Sequence, residues 1–210
     1  MCIRDRDVTK SMFLNPAKAR RTLELLYFTI LTSKESLCSV SCSFFSSSEL
    51  KQIPLELILA CELPEGTFAL EEEQGEEVAL TIKNLPGRHG ARGFVISDLL
   101  FEVDPSEVIH SLNSHRRELT IICPFSEAEA NPSWDGHMKL LDCETDSERR
   151  VFVGRQMVED YLLSYERHFK LWQDVCRSEA IPFMRVSSEN ELSQALRAEA
   201  ISERVFEAWN

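Results

Sequence analysis

Short apolar runs at residues 92–98, 119–123 and 181–186 alternate with segments whose apolar side chains recur at helical spacing. That alternation constrains the fold more than any other feature of the chain. Apolar runs of this length, bounded by turn residues, read as strands buried on both faces. Strands alternating with helices require right-handed crossovers, so the expected fold class is α/β: a doubly wound, mostly parallel sheet with helices on both faces. A single domain over residues 1–210 is expected, because 43% apolar content suffices for one substantial core and no repeat or low-complexity linker divides the chain.

The punctuation between elements follows the same logic. Asn15-Pro16 is a helix cap followed by proline at the first helical position, and Ala19, Leu23, Leu26, Tyr27 and Ile30 carry that helix to about Thr32. Residues 37–45 alternate serines with larger residues and read as a strand closed by the serines at 46–48. Residues 55–61 read as a helical turn or two, and residues 76–85 as a helix stopped by Pro86-Gly87. Asp104-Pro105 opens another helix, with Val108, Ile109 and Leu112 on one face. Residues 138–141 and 150–153 flank the polar turn Glu144-Thr145-Asp146-Ser147, which predicts a β-hairpin inserted after residue 135. A long helix over 155–177 follows, striped by Tyr161, Tyr165, Phe169, Trp172 and Cys176, and residues 189–209 read as mainly helical.

Charge and cysteine usage narrow the function classes. A net charge of −12, with acidic runs at residues 71–73 and 76–77, repels phosphate backbones and anionic lipid, so nucleic acid is not an expected partner. The seven cysteines never form a Cys-x-x-Cys pair and mostly lie in apolar stretches, as expected of reduced cysteines in an intracellular protein rather than of a zinc site. No apolar stretch approaches the roughly 20 residues that span a bilayer, which predicts a cytoplasmic chain without membrane contact. Met1-Cys2-Ile3-Arg4-Asp5-Arg6 resembles the translated adapter scar of some metagenomic reading frames. On that reading residues 1–6 are not native and are too short and charged to be an apolar central strand. The native first strand is then missing, and any membrane anchor would lie upstream.

The residues that could carry chemistry are Asp7-Val8-Thr9-Lys10-Ser11, a carboxylate and two hydroxyls at alternate positions just before a helix. Magnesium takes about six oxygen ligands, and such a loop at the carboxyl end of a strand can turn its oxygens toward one point. The pattern arises by chance in about one chain in ten of this length, so position must carry the reading. The same residues also suit a helix-capping loop. What favours the metal is Asp98, which ends the strand at 92–98 beside Ser97 and would share with Asp7 the edge where doubly wound sheets bind ligands.

Asp7-Val8-Thr9-Lys10-Ser11-Met12 resembles the metal-ion-dependent adhesion site of von Willebrand factor type A domains, and Phe94-Val95-Ile96-Ser97-Asp98-Leu99-Leu100 resembles their later strand ending in a metal-site Asp. Downstream, Cys123-Pro124, Glu129-Ala130-Asn131-Pro132 and the stretch from Gly136 to Thr145 are similar to a bacterial family called domain of unknown function fifty-eight. The likeness implies a von Willebrand A-like fold. It also implies a site of Asp7, Thr9, Ser11, Thr67 and Asp98 with Ser97 behind it, holding Mg²⁺ or Mn²⁺, and neighbouring genes for MoxR-type AAA+ ATPases. Thr9 replaces the more usual serine, and the residues around Thr67 match the family poorly.

Three functions follow as expectations. The first is a non-enzymatic binding module whose metal accepts a carboxylate from a partner protein, the MoxR-type ATPase or its client. The second is a haloacid dehalogenase-like phosphatase, weakened because Thr9 stands where the general acid is needed. The third is a scaffold with a degenerate metal site. Glu127 and Glu129 read as solvated loop residues rather than an acid–base pair.

Overall fold

The computed structural model describes residues 2–7, 10–13, 15–45, 50–62, 81–82, 90–101, 103–113, 118–141 and 148–199. Its framework is a six-stranded sheet in the order β3-β2-β1-β4-β5-β8. The strands are β1 (Cys2–Asp7), β2 (Val40–Phe45), β3 (Leu50–Ile53), β4 (Arg92–Ile96), β5 (Glu118–Phe125) and β8 (Phe183–Ser187). All neighbours run parallel except β2 and β3. The expected α/β class with a mostly parallel sheet flanked by helices is what the chain adopts.

Alternation along the central strands sorts the core into two clusters. Val95 of β4 joins Leu119, Ile121 and Cys123 of β5 in one, while Phe94, Ile96 and Ile122 join the other. Successive side chains of a strand point to opposite faces, so the clusters lie on opposite sides of the sheet. The first packs against α4 (Pro105–Asn113) and α6 (Arg155–Ser178), and the second against α2 (Pro16–Glu35), α3 (Leu55–Leu59) and α7 (Leu192–Glu199). Trp172 of α6 is fully buried and meets Phe101 edge-on, with ring centroids 6.1 Å apart.

The Asn15 cap forms as expected: its Oδ1 accepts from the backbone N–H of Ala17 at 2.9 Å and of Lys18 at 3.3 Å. The inward face of α2 is rotated from the expected stripe. Lys18, Arg21, Thr22, Leu25, Leu26, Thr29, Ile30 and Ser33 are buried, while Ala19, Leu23 and Tyr27 are only half-buried. Two charged residues therefore occupy inward positions that an apolar-stripe reading passes over.

Two further differences concern strands. The place expected to lack a strand is filled: Cys2–Asp7 lies centrally, pairing with β2 from Cys2↔Val40 to Asp7↔Phe45 and with β4 from Cys2↔Arg92 to Arg6↔Ile96. Backbone pairing on both sides needs no apolar side chain, which is why a charged segment can serve. β3 was not expected at all; Leu50, Lys51 and Gln52 are exposed, the composition of an edge rather than an interior strand.

The hairpin appears where expected, as β6 (Gly136–Leu141) and β7 (Glu148–Val153), paired antiparallel as a separate two-stranded sheet after the short α5 (Glu127–Ala130). The expected helix over 76–85 falls outside the described residues apart from helical Thr81-Ile82, and that over 189–209 is described as far as Glu199, where it forms α7. No helix among the described residues is long and apolar enough to cross a membrane.

Candidate functional site

Chain order reverses direction between β1 and β4: from β1 the sheet grows through β2 and β3 on one side, and through β4, β5 and β8 on the other. A crevice opens at the carboxyl ends of parallel strands where such a reversal occurs. Asp7 is the last residue of β1, and Asp98 stands two residues beyond the end of β4, so the chain positions of both lie at that edge. The loop after β1 leads into α1 (Lys10–Phe13), whose Met12 is fully buried. Met12 Sδ accepts the backbone N–H of Asp98 at 3.2 Å. Met12 and Asp98, distant in sequence, therefore meet.

Asp98 sits in a tight bend. Leu99 adopts φ 57°, a left-handed conformation that a leucine adopts at a steric cost. The bend is held by side chains on either side of it: Ser97 Oγ accepts the Leu99 N–H at 3.0 Å and Asp98 Oδ1 accepts the Leu100 N–H at 3.2 Å. From outside, His168 of α6 lies 2.8 Å from the Leu99 carbonyl through Nε2. Backbone held in such a conformation by several independent contacts is the kind that persists where a side chain must be aimed.

What Asp98 meets is a lysine. Lys18 Nζ, fully buried, lies 2.7 Å from Asp98 Oδ2 and 2.8 Å from Glu129 Oε1. Burial works against the ammonium, but Asp98 and Glu129 outweigh it and hold the Lys18 pKa above its ordinary value. Glu129 is fixed in turn, its Oε2 accepting the Ser126 N–H at 3.0 Å at the head of α5, and Tyr161 of α6 donates to the Glu129 carbonyl at 2.9 Å. Glu129 is thus not the solvated loop residue expected from sequence but one arm of an ionic triad. Glu127, by contrast, is exposed and accepts from the side chain of Asn131, just past the end of the same short helix.

Of the residues expected to bind metal, the backbones of Asp7 and Ser11 are placed at the crevice, Asp98 and Ser97 are fully described, and Thr9 and Thr67 lie outside the described residues. Among the described residues no three His, Cys, Asp or Glu side chains gather as a metal cluster. Lys18 and Glu129 are the residues that sequence reading missed. The available signal was a lysine at position i−4 to Thr22 and i−7 to Leu25, in phase with the buried face of α2.

No family model matches the chain, and no curated protein matches it in sequence. Among solved structures the chain is similar to the conserved hypothetical protein BatB from Bacteroides thetaiotaomicron, at 12% identity and a TM-score of 0.45, covering 98% of both chains. It is similar to the same extent, at 11% identity and a TM-score of 0.45 with 98% of both chains covered, to an aerotolerance-related membrane protein from Bacteroides fragilis NCTC 9343 carrying multiple mutations to serines. The fold description rests on the strand order and register, not on these likenesses.

The Cys123 thiol donates to the Asp98 carbonyl at 3.4 Å, and burial pushes its pKa up to about 12; burial does the same to Cys176. Neither is a thiolate at neutral pH. At pH near 8 an alkylating reagent is expected to modify exposed Cys61 readily in the folded protein, and Cys123 and Cys176 only after denaturant is added, as read by mass spectrometry of peptides.

Proposed function

We propose that the crevice between β1 and β4 is a divalent-cation adhesion site of the von Willebrand A type on a doubly wound sheet, and that the protein is a non-enzymatic binding module. The observation that supports this reading is the contact between Met12, in the short helix after β1, and the backbone of Asp98, beyond the end of β4, at the reversal in strand order. The donor chemistry suits a hard, oxygen-seeking cation such as Mg²⁺ or Mn²⁺: a carboxylate at the end of β1 followed in sequence by two hydroxyls, with a second carboxylate, Asp98, behind them. Bound there, the cation would accept a carboxylate of a partner protein.

The described geometry divides the roles. Asp98 has one oxygen engaged by Lys18 and the other by the Leu100 N–H, so its charge is already matched from within. Asp7, Thr9 and Ser11 are accordingly the direct ligands in this proposal, with Thr67 as a further one. Asp98 acts behind them, held by Lys18, Ser97 and Leu100. By family likeness, the partner is a MoxR-type AAA+ ATPase or a client that it remodels.

Calorimetric titration of Mg²⁺ should show saturable binding that Asp7→Ala abolishes, with wild type and variant melting at the same temperature in chelator. Heats unchanged by the substitution would remove the reading. The Lys18–Asp98 pair favours a second reading, a scaffold in which the lysine has taken the metal's place. That reading predicts a melting temperature indifferent to Mg²⁺, whereas a ligand bound only by the folded state must raise it.

A further inference from the structure

At the opposite end of the sheet from β3, β8 is an edge strand, and between it and α6 lies a cleft of about 490 Å³ walled by Phe125, Phe169 and Phe183. Arg185 enters the cleft from β8 and Lys170 from α6. The Arg185 guanidinium carbon is 3.9 Å from the centroid of the Phe169 ring, 4.4 Å from Phe125 and 5.0 Å from Tyr165. Nη2 donates to the Tyr165 hydroxyl at 2.5 Å, while the buried Nε has no hydrogen-bond partner among the described residues. Burial raises the Tyr165 pKa, so that hydroxyl is neutral and supplies no counter-charge.

Among the described residues no carboxylate pairs with Arg185, which is unexpected in a chain with a net charge of −12, where acids outnumber bases. Of the acids lining the cleft, Asp174 lies 3.6 Å from Arg177 and is matched by it. Glu166, Lys170 and Arg185 are the other charged residues of the lining, which leaves it with one positive charge in surplus. A guanidinium stacked between rings is held flat, weakly hydrated and ready to form paired hydrogen bonds with a planar anion.

We propose that this cleft binds a small organic carboxylate with an aromatic or branched apolar body, its carboxylate on Arg185 and its body against Phe169 and Phe183. The volume lies within the range of small-ligand sites, and the three phenylalanine rings give an apolar wall beside the Arg185 cation, with the charged residues of α6 at the rim. A bidentate carboxylate supplies the negative partner that the arginine lacks. Nothing in this site depends on the crevice between β1 and β4.

The test uses the full chain and 3-phenylpropionate as the probe, followed by ligand-observed NMR and calorimetry. Saturable binding is expected, and 3-phenylpropan-1-ol, which has the same body without the charge, should bind at least about tenfold more weakly. Arg185→Gln should weaken the acid by about tenfold or more, and Arg185→Lys by less, since charge survives but the planar fork does not. Lys170 is exposed, so Lys170→Gln tests the site without risk to folding, and a loss of about two- to threefold is expected from one partly screened charge. Equal binding of acid and alcohol, absence of saturable acid binding, or affinities indifferent to both Arg185→Gln and Lys170→Gln would each overturn the proposal.

Discussion

Lys18→Met is expected to cost about 3–5 kcal/mol of folding stability, because it removes the cation from a buried pair and leaves Asp98 charged without a partner. The ammonium is 0% exposed and the Asp98 side chain 3% exposed, so water cannot replace the lost interaction. Glu129→Gln should cost much less, since that side chain is 25% exposed and Asp98 still neutralises the lysine. Pairing Lys18→Met with Asp98→Asn should recover much of the loss, because a neutral amide is far less costly to bury than an unpaired carboxylate. Urea denaturation of the three variants gives the ordering directly.

The pH dependence of the same penalty has a definite sign. The Lys18 pKa in the folded state is raised above its unfolded value, so its stabilisation is fully present below the ordinary lysine range and is lost only as pH rises through the folded value. The cost of Lys18→Met should therefore be flat from about pH 6 to about pH 9, the window in which both states carry the proton. A penalty that faded across that window would mean that the lysine is held by something other than these two carboxylates.

Trp172→Ala is expected to be comparably severe, at about 3–5 kcal/mol, through lost burial and the cavity left between α6 and the sheet. Trp172 is wholly buried in the cluster that contains Phe101, Ile121 and Phe169. Its indole N–H has no acceptor among the described residues, so Trp172→Phe should cost less than half as much: it keeps an aromatic ring in place and deletes an unsatisfied donor. If the phenylalanine variant proved as unstable as the alanine one, the indole N–H would have to be bonded in solution. Denaturation midpoints of the two variants, read by circular dichroism, separate the cases.

How far the sequence reveals this molecule depends on which force builds each part. β4, β5, α4 and α6 owe their positions to apolar burial, which leaves a periodic trace, and each lies within a few residues of its expected bounds. The Asn15 cap and the β6–β7 hairpin are written in local turn chemistry and are equally legible. β1 and β3 are not, because Cys2–Asp7 and Leu50–Ile53 carry no apolar run, and they are paired through backbone hydrogen bonds, which any residue but proline can make. The site divides in the same way. Asp98 could be read from its place at the end of an apolar run. Lys18 and Glu129 could not be joined, since they lie 111 residues apart in the chain and lysines on helices usually face water.

The central place of β1 also governs when the domain can form. Its two pairing partners begin at Val40 and Arg92, so β1 can be zipped on both sides only after Ile96 has emerged from the ribosome. Until then the Asp7 segment has at most one neighbour, and the half-built sheet offers a bare strand edge to chaperones or to other nascent chains. Assembly of the crevice is thus a late event, completed when the fourth strand closes over the first.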